Sequence, residues 1–186
     1  MNFTIRPVCG QRTIDSNGVL AVRKGAALMF ILVIYDSQFG NTMRLARLIG
    51  EVMVKRADVT LRSCAEVQAA EVKAADLLVI GCPTQRHDLT PGLDAFLALN
   101  EYSGLTGKAA AVFDTRFRSF RWLTGSAART TARRLEKAGA HLVTPPESFF
   151  VAGMQGPLEE GEAIRAVNWA RALLEHVRQP EVGVRE

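Results

Sequence analysis

The sequence predicts an α/β protein, a three-layer α/β/α sandwich built on a parallel sheet. Three observations carry that expectation. The run Phe30-Ile31-Leu32-Val33-Ile34-Tyr35 is unbroken and rich in β-branched residues, as in a strand buried on both faces. Leu45, Leu48, Ile49, Val52 and Met53 then recur at helical spacing, so a helix packs on that strand. The alternation repeats along the chain, with strand exits rich in Gly, Ser, Thr, Asn and Pro. At 186 residues and 48% apolar content, one domain with a substantial core is expected.

The loop 37–42, Ser37-Gln38-Phe39-Gly40-Asn41-Thr42, joins the first strand to the first helix. Open α/β sheets bind ligands at that edge. Gly40 lets a ligand approach the backbone closely. The first N–H groups of a helix lack internal partners and carry partial positive charge. With the Ser37 and Thr42 hydroxyls and the Asn41 amide, the loop suits a monophosphate ester. It holds no lysine and is not a Walker loop. The same residues also suit a plain helix cap.

The other elements follow in order. Residues 1–28 show no helical period. They form a disordered tail, a small hairpin around Asn17-Gly18 or a leader upstream of Met29, and a non-essential leader is the favoured reading. The first helix spans 41–55, and a short polar strand at 59–62 lies at a sheet edge. A weak helix covers 65–73 with Cys64 at its start, in a buried or capping role. The third strand is 75–80, and its exit loop 81–90 is stiffened by Pro83. Thr90 caps a helix that starts at Pro91 and turns Phe96 and Leu97 inward. The fourth strand is 108–114. It is followed by Thr115, Arg116, Phe117, Arg118, Ser119, Phe120, Arg121 and Trp122. A basic helix begins at 124–126 and ends at Gly139. Leu142-Val143 and Phe149-Phe150-Val151 form a fifth strand broken by Pro145-Pro146. The last helix spans 158–178, with Glu159, Glu160 and Glu162 early and a buried stripe of Ala163, Ile164, Val167, Ala170 and Leu174. Residues 29–179 make the domain, and 180–186 a frayed tail.

Composition narrows the class. Cys9, Cys64 and Cys82 are odd in number and lack Cys-x-x-Cys spacing, so they read as reduced thiols of a cytoplasmic protein. The net charge is +4. Residues 1–28 contribute +3 of it through Arg6, Arg12, Arg23 and Lys24 against Asp15. The basic balance is therefore poor support for nucleic-acid binding by the domain. The apolar run 26–35 is too short for a bilayer, which needs about 20 residues, and no small-x-small cleavage site follows it. Neither export nor a membrane partner is expected.

Three motifs carry a family resemblance that spans residues 29–177. Asp36-Ser37-x-x-Gly40-Asn41-Thr42 resembles the FMN phosphate loop of flavodoxin-like proteins. Leu77-Leu78-Val79-Ile80-Gly81-Cys82-Pro83-Thr84 resembles their third strand and Gly-x-Pro-Thr flavin loop. Gly156-Pro157-Leu158-Glu159-Glu160-Gly161-Glu162 is similar to the opening of the last helix in some bacterial single-domain members.

The resemblance implies a flavodoxin-like fold with a five-stranded parallel sheet of order 2-1-3-4-5. It implies FMN as cofactor and electron transfer as function. The phosphate would sit on Ser37, Gln38, Phe39, Gly40, Asn41 and Thr42, and the ring between loops 82–88 and 114–122. Pro83, Thr84, Gln85, Arg86 and His87 would reach the ribityl chain or pyrimidine edge. Asp114, Thr115, Arg116, Phe117 and Phe120 would flank the ring, with an aromatic such as Phe117, Phe120 or Trp122 covering one face. Arginines there would favour the reduced anionic flavin and make its potential less negative than is usual in the family.

The partner is either a redox protein or, for a flavoenzyme, NAD(P)H and a quinone. A flavin-free scaffold is the third reading. No catalytic side chain and no metal site are expected. A phosphoreceiver is excluded, since Gly81-Cys82-Pro83 stands where its aspartate belongs. A Cys-x5-Arg phosphatase is excluded by Asp88, and a Gly-x-Gly-x-x-Gly dinucleotide loop is absent.

Overall fold

A computed structural model describes residues 4–5, 29–84, 89–100, 104–118 and 126–178. In chain order the elements are β1 (Thr4–Ile5), β2 (Phe30–Tyr35), α1 (Asn41–Met53), β3 (Asp58–Ser63), α2 (Ala69–Ala74) and β4 (Leu77–Pro83). There follow α3 (Pro91–Asn100), β5 (Ala109–Phe117), α4 (Ala127–Lys137), β6 (His141–Leu142), β7 (Glu147–Val151) and α5 (Glu162–Arg178).

Strands β3, β2, β4 and β5 pair in parallel in that spatial order, and both β6 and β7 pair in parallel with β5. With β6 and β7 as the two pieces of a fifth strand, the order is 2-1-3-4-5. The break falls at Pro145-Pro146, which cannot donate to a ladder. The sheet reverses direction of growth between β2 and β4, and the crevice at such a switch point is where α/β sheets bind ligands.

Strand alternation sorts the core into two faces. Leu32, Ile34, Leu78, Ile80, Cys82, Ala110 and Val112 pack with α2, α3 and α4 through residues such as Val72, Leu93, Leu97, Ala128 and Leu135. Ile31, Val33, Leu77, Val79, Ala111, Phe113 and Phe149 pack with α1 and α5 through Leu45, Ile49, Met53, Ala166, Ala170 and Leu173. Phe113, Phe149 and Trp169 meet edge to face, with centroids 5.8–6.1 Å apart.

Several expectations differ from the structure. The strand at 59–62 is not the sheet's edge, because Thr4–Ile5 pairs with it antiparallel, through Thr4 opposite Thr60 and Ile5 opposite Val59. The hairpin expected around Asn17-Gly18 lies outside the described residues. The helix expected at 65–73 starts at Ala69, held by a capping box between Gln68 and Glu71, so Cys64 precedes it by a turn. The fourth strand runs to Phe117 instead of ending at Asp114, because its polar residues Asp114, Thr115 and Arg116 are buried and partnered by β7.

The last helix starts at Glu162, not at 158. Leu158 instead bridges Val151, and Glu159 N–H bonds the Phe150 carbonyl. Its buried stripe is Glu162, Ala166, Ala170, Leu173 and Leu174, and Ile164 is 68% exposed. Ala170 and Leu174 of the expected stripe are buried, while Ala163 and Val167 are half-buried.

Gly81 is required by packing. A Cβ there would lie 2.1 Å from Phe113 Cζ. Gly81→Ala therefore overpacks the centre of the sheet. We expect a loss of about 1–3 kcal/mol in unfolding free energy, read from the urea midpoint at unchanged slope.

Candidate functional site

The exits of β2, β4, β5 and β7 meet at one end of the sheet. They enclose a cleft of about 530 Å³ lined by Ser37, Gln38, Phe39, Asn41, Thr42, Pro83, Thr84, Thr115, Arg116 and Phe117, with Val151 and Met154. Ten of the expected site residues thus share one cavity. Gly40 shapes its loop without lining it. Gln85, Arg86, His87 and Phe120 lie outside the described residues, as does Trp122.

The loop 36–40 is built to leave the start of α1 open. Gly40 takes the left-handed conformation at φ 85°, which favours glycine, and no side chain caps the helix. Ser37 Oγ instead accepts the Gly40 N–H at 3.1 Å, closing the turn within the loop. The first amides of α1 have no partner within the helix. Asn41 Nδ2 donates to the Gln155 carbonyl at 3.1 Å, and a Cβ at Gly156 would fall 2.5 Å from Asn41 Oδ1. The loop after β7 is thereby packed onto the start of α1. Thr42 Oγ1 meets Thr115 Oγ1 at 2.8 Å in a buried contact that fixes α1 to the end of β5.

Asp114 is fully buried and does not line the cleft. Its Oδ2 accepts from Ser126 Oγ at 2.7 Å, Thr84 Oγ1 at 3.0 Å and Ala128 N–H at 3.0 Å. Thr84 Oγ1 in turn accepts the Ala127 N–H at 3.0 Å. The carboxylate joins the exits of β4 and β5 to the start of α4, where its charge also suits the helix dipole. The structure places it as the support of the site, in contrast to the expected flanking role beside a flavin ring.

Arg116 is buried yet reaches the cleft, with its guanidinium 5.4 Å from the Phe150 ring centre. Arg118, expected beside it, turns to the sheet edge. It pairs with Glu159 at 2.7 Å and Glu162 at 3.6 Å and lies 4.5 Å from the Phe150 ring centre. Phe39 and Phe117 are 43% and 42% exposed at the cleft rim, and Met154 is 74% exposed. Val151 and Met154 also line the cleft and were not among the expected site residues, although the loop 152–157 after the fifth strand is expected at the ligand edge.

Burial pushes the Cys64 thiol up to about 12, with the nearby Asp36 charge adding to the rise. Burial also raises the Cys82 thiol well above its ordinary range, and Asp114 adds to it. Neither is an activated thiol. Among the described residues, no cluster of three or more His, Cys, Asp or Glu side chains is placed to hold a metal. No helix among them is long and apolar enough to cross a membrane.

A doubly wound sheet with an uncapped helix start at its switch point defines an α/β domain of the kind that binds ligands at that crevice. The comparisons with known proteins make this specific. The flavodoxin family profile matches residues 33–167, most of the chain, and the protein belongs to that family. FMN is the cofactor of the family. Oxidised flavodoxin 2 from Bacillus cereus superposes with a TM-score of 0.68 at 28% identity, over 78% of this chain and 97% of that one. Flavodoxin 1 from the same organism gives 0.69 at 21% identity, over 79% and 98%. A flavodoxin from the domain Archaea gives 0.68 at 22% identity, over 81% and 99%. No curated protein matches the sequence.

Two outcomes are expected. Asp114→Ala leaves three donors without their acceptor and lowers stability by roughly 2–5 kcal/mol, read by denaturant unfolding. Cys64 and Cys82 resist alkylation at pH 8 in the folded chain and react once it is unfolded. The raised Cys64 value has a pH consequence of definite sign. The folded state keeps this thiol protonated, so its contribution to stability is full below the ordinary thiol value of 9.0. It is lost as pH rises from there through about 12.

Proposed function

We propose that this protein is an FMN-binding electron carrier, with the cofactor phosphate on loop 37–42 and the ring between the exits of β4 and β5. The observation that carries the reading is the cleft itself. It has ligand size, and it opens on an uncapped helix start flanked by Ser37, Asn41 and Thr42. The residues present fit the group. A Cβ built at Gly40 meets no atom within 4 Å, so the approach to the helix start is clear. The Ser37, Asn41 and Thr42 side chains that flank it are neutral donors or acceptors, which suits one phosphate ester without a metal.

FMN supplies the one- and two-electron chemistry when bound. The chain's part is to hold, orient and shield it. Loop 37–42 and the amides of α1 bind the phosphate. Thr84 and Thr115 stand at the exits of β4 and β5, where the ribityl chain would pass. Phe39 and Phe117 are the aromatic rings among the described lining residues and would cover the flavin ring system. Arg116 is the only ionisable side chain among those residues, and a guanidinium neither gives nor takes a proton near neutrality. That favours a carrier over an enzyme whose step needs an acid or a base. The physiological partner is a redox protein that docks over the exposed rim of Phe39, Phe117 and Met154. The cytoplasm is the compartment that suits the cysteine usage.

Purified protein given FMN and desalted should retain visible flavin bands near unit stoichiometry. Asn41→Ala should weaken retention about tenfold or more. It should not oxidise NAD(P)H unaided. A protein that leaves the column colourless refutes the reading. In the loaded protein, Arg116→Gln removes a cation next to the ring. The couple that produces the reduced anionic flavin should become more negative by tens of millivolts, measured by dye-linked titration.

A further inference from the structure

A second cavity, of about 400 Å³, lies at the β7 edge of the sheet, lined from α4, β5, β7 and α5. Its charged lining is Arg116 from β5, Arg129 and Arg133 from α4, Arg165 from α5 and Glu147 from β7, and the Phe150 ring forms one wall. Four guanidinium groups from three elements thus face a single carboxylate. Arg165 is already engaged by Glu147 at 2.7 Å and Glu162 at 2.6 Å. Arg129 and Arg133 are exposed, and neither meets a carboxylate among the described residues.

The placement of those two residues breaks local rules. Arg129 is the third residue of α4, at the positive end of the helix dipole, and the first turn holds no acidic residue. A cation there costs roughly 0.3–1 kcal/mol. Arg133 follows at i+4 on the same face, and a like-charge pair at that spacing costs about 0.2–0.5 kcal/mol more. Asp114 accepts the Ala128 N–H from beneath, on the sheet side, and does not line the cavity. Two unfavourable placements that converge on one concave pocket mark a place where function sets the sequence. A bound anion reverses the sign of both.

We propose that this cavity binds a phosphorylated small molecule carrying at least two negative charges, beside the flavin cleft and separate from loop 37–42. Guanidinium forks match phosphate oxygens in pairs, and a pocket of this volume encloses a small molecule better than it fits a flat protein face. Arg116 lines both cavities, so an anion here lies within electrostatic reach of the flavin site. The inference does not rest on the FMN reading, because none of Arg129, Arg133 and Arg165 lines the cleft assigned to FMN.

The test titrates inorganic pyrophosphate into the FMN-loaded full chain at fixed ionic strength, followed by calorimetry and amide NMR. We expect saturable binding with Kd of about 1 mM or tighter. The Arg129→Gln/Arg133→Gln double variant should weaken it about tenfold or more and leave FMN affinity unchanged. Arg47→Gln/Arg171→Gln removes the same charge elsewhere on the surface and should leave pyrophosphate binding intact. Absence of saturation overturns the proposal, as does equal loss in the two double variants. Citrate binding in place of pyrophosphate overturns the phosphate assignment. A chain that retains no flavin, yet loses pyrophosphate only in the Arg129/Arg133 variant, leaves this site standing and refutes only the FMN reading.

Discussion

The buried Asp114 carboxylate is the constraint on which the site depends. A charge without solvent is costly unless donors surround it. Here three donors converge on Oδ2, from the end of β4, from the residue that caps α4 and from the first turn of α4. Each of those groups is held by Oδ2, while Oδ1 is buried with no hydrogen-bond partner among the described residues. The exit of β4 therefore cannot move without leaving a buried charge short of a partner. Thr42 and Thr115 do the corresponding work on the opposite face, tying α1 to β5. The cleft is preformed because its walls are bonded to one another beneath its floor.

The sheet order explains why those walls come together. Chain growth reverses between β2 and β4, so α1 and α3 lie on opposite faces and their preceding loops diverge around a gap. Close packing at the centre keeps the gap where it is. Gly81 allows the Phe113 ring to lie flat against β4, and that ring meets Phe149 and Trp169 behind it. The core on the α1 and α5 side is thus continuous from the centre of the sheet to its edge.

The legible parts of the sequence were those governed by periodicity and turn chemistry. The run at 30–35 and the helical pattern after it matched β2 and α1 closely, because both are apolar patterns set by burial. The broken fifth strand was legible because two prolines cannot join a ladder. The errors came where polar residues are buried by long-range partners. Arg116 and Thr115 look like loop residues and are strand residues, since β7 pairs with them from more than thirty positions away. Glu159 and Glu160 look like the acidic first turn of a helix. Yet the helix begins later, because the preceding segment bonds to β7. Asp114 was legible as important but not as structural. Its hydrogen-bond partners are scattered through the chain, and no spacing announces them.

The β7 edge accounts for part of the basic character of its surroundings. An open edge strand invites pairing with other chains unless something covers it. Here no further strand among the described residues covers β7. Phe150 donates its N–H to Glu162 at 3.0 Å and accepts from the Glu159 N–H at 2.9 Å, so the approach to α5 acts as the cover. Glu162 is buried by this role and needs cations, which Arg165 and Arg118 supply. Arg118 and Arg165 are therefore consumed by the edge. Arg129 and Arg133 are not, and nothing in the cover requires them. Their charge has no structural debtor within the described fold, and that asymmetry separates a solvated basic surface from a cavity shaped for an anion.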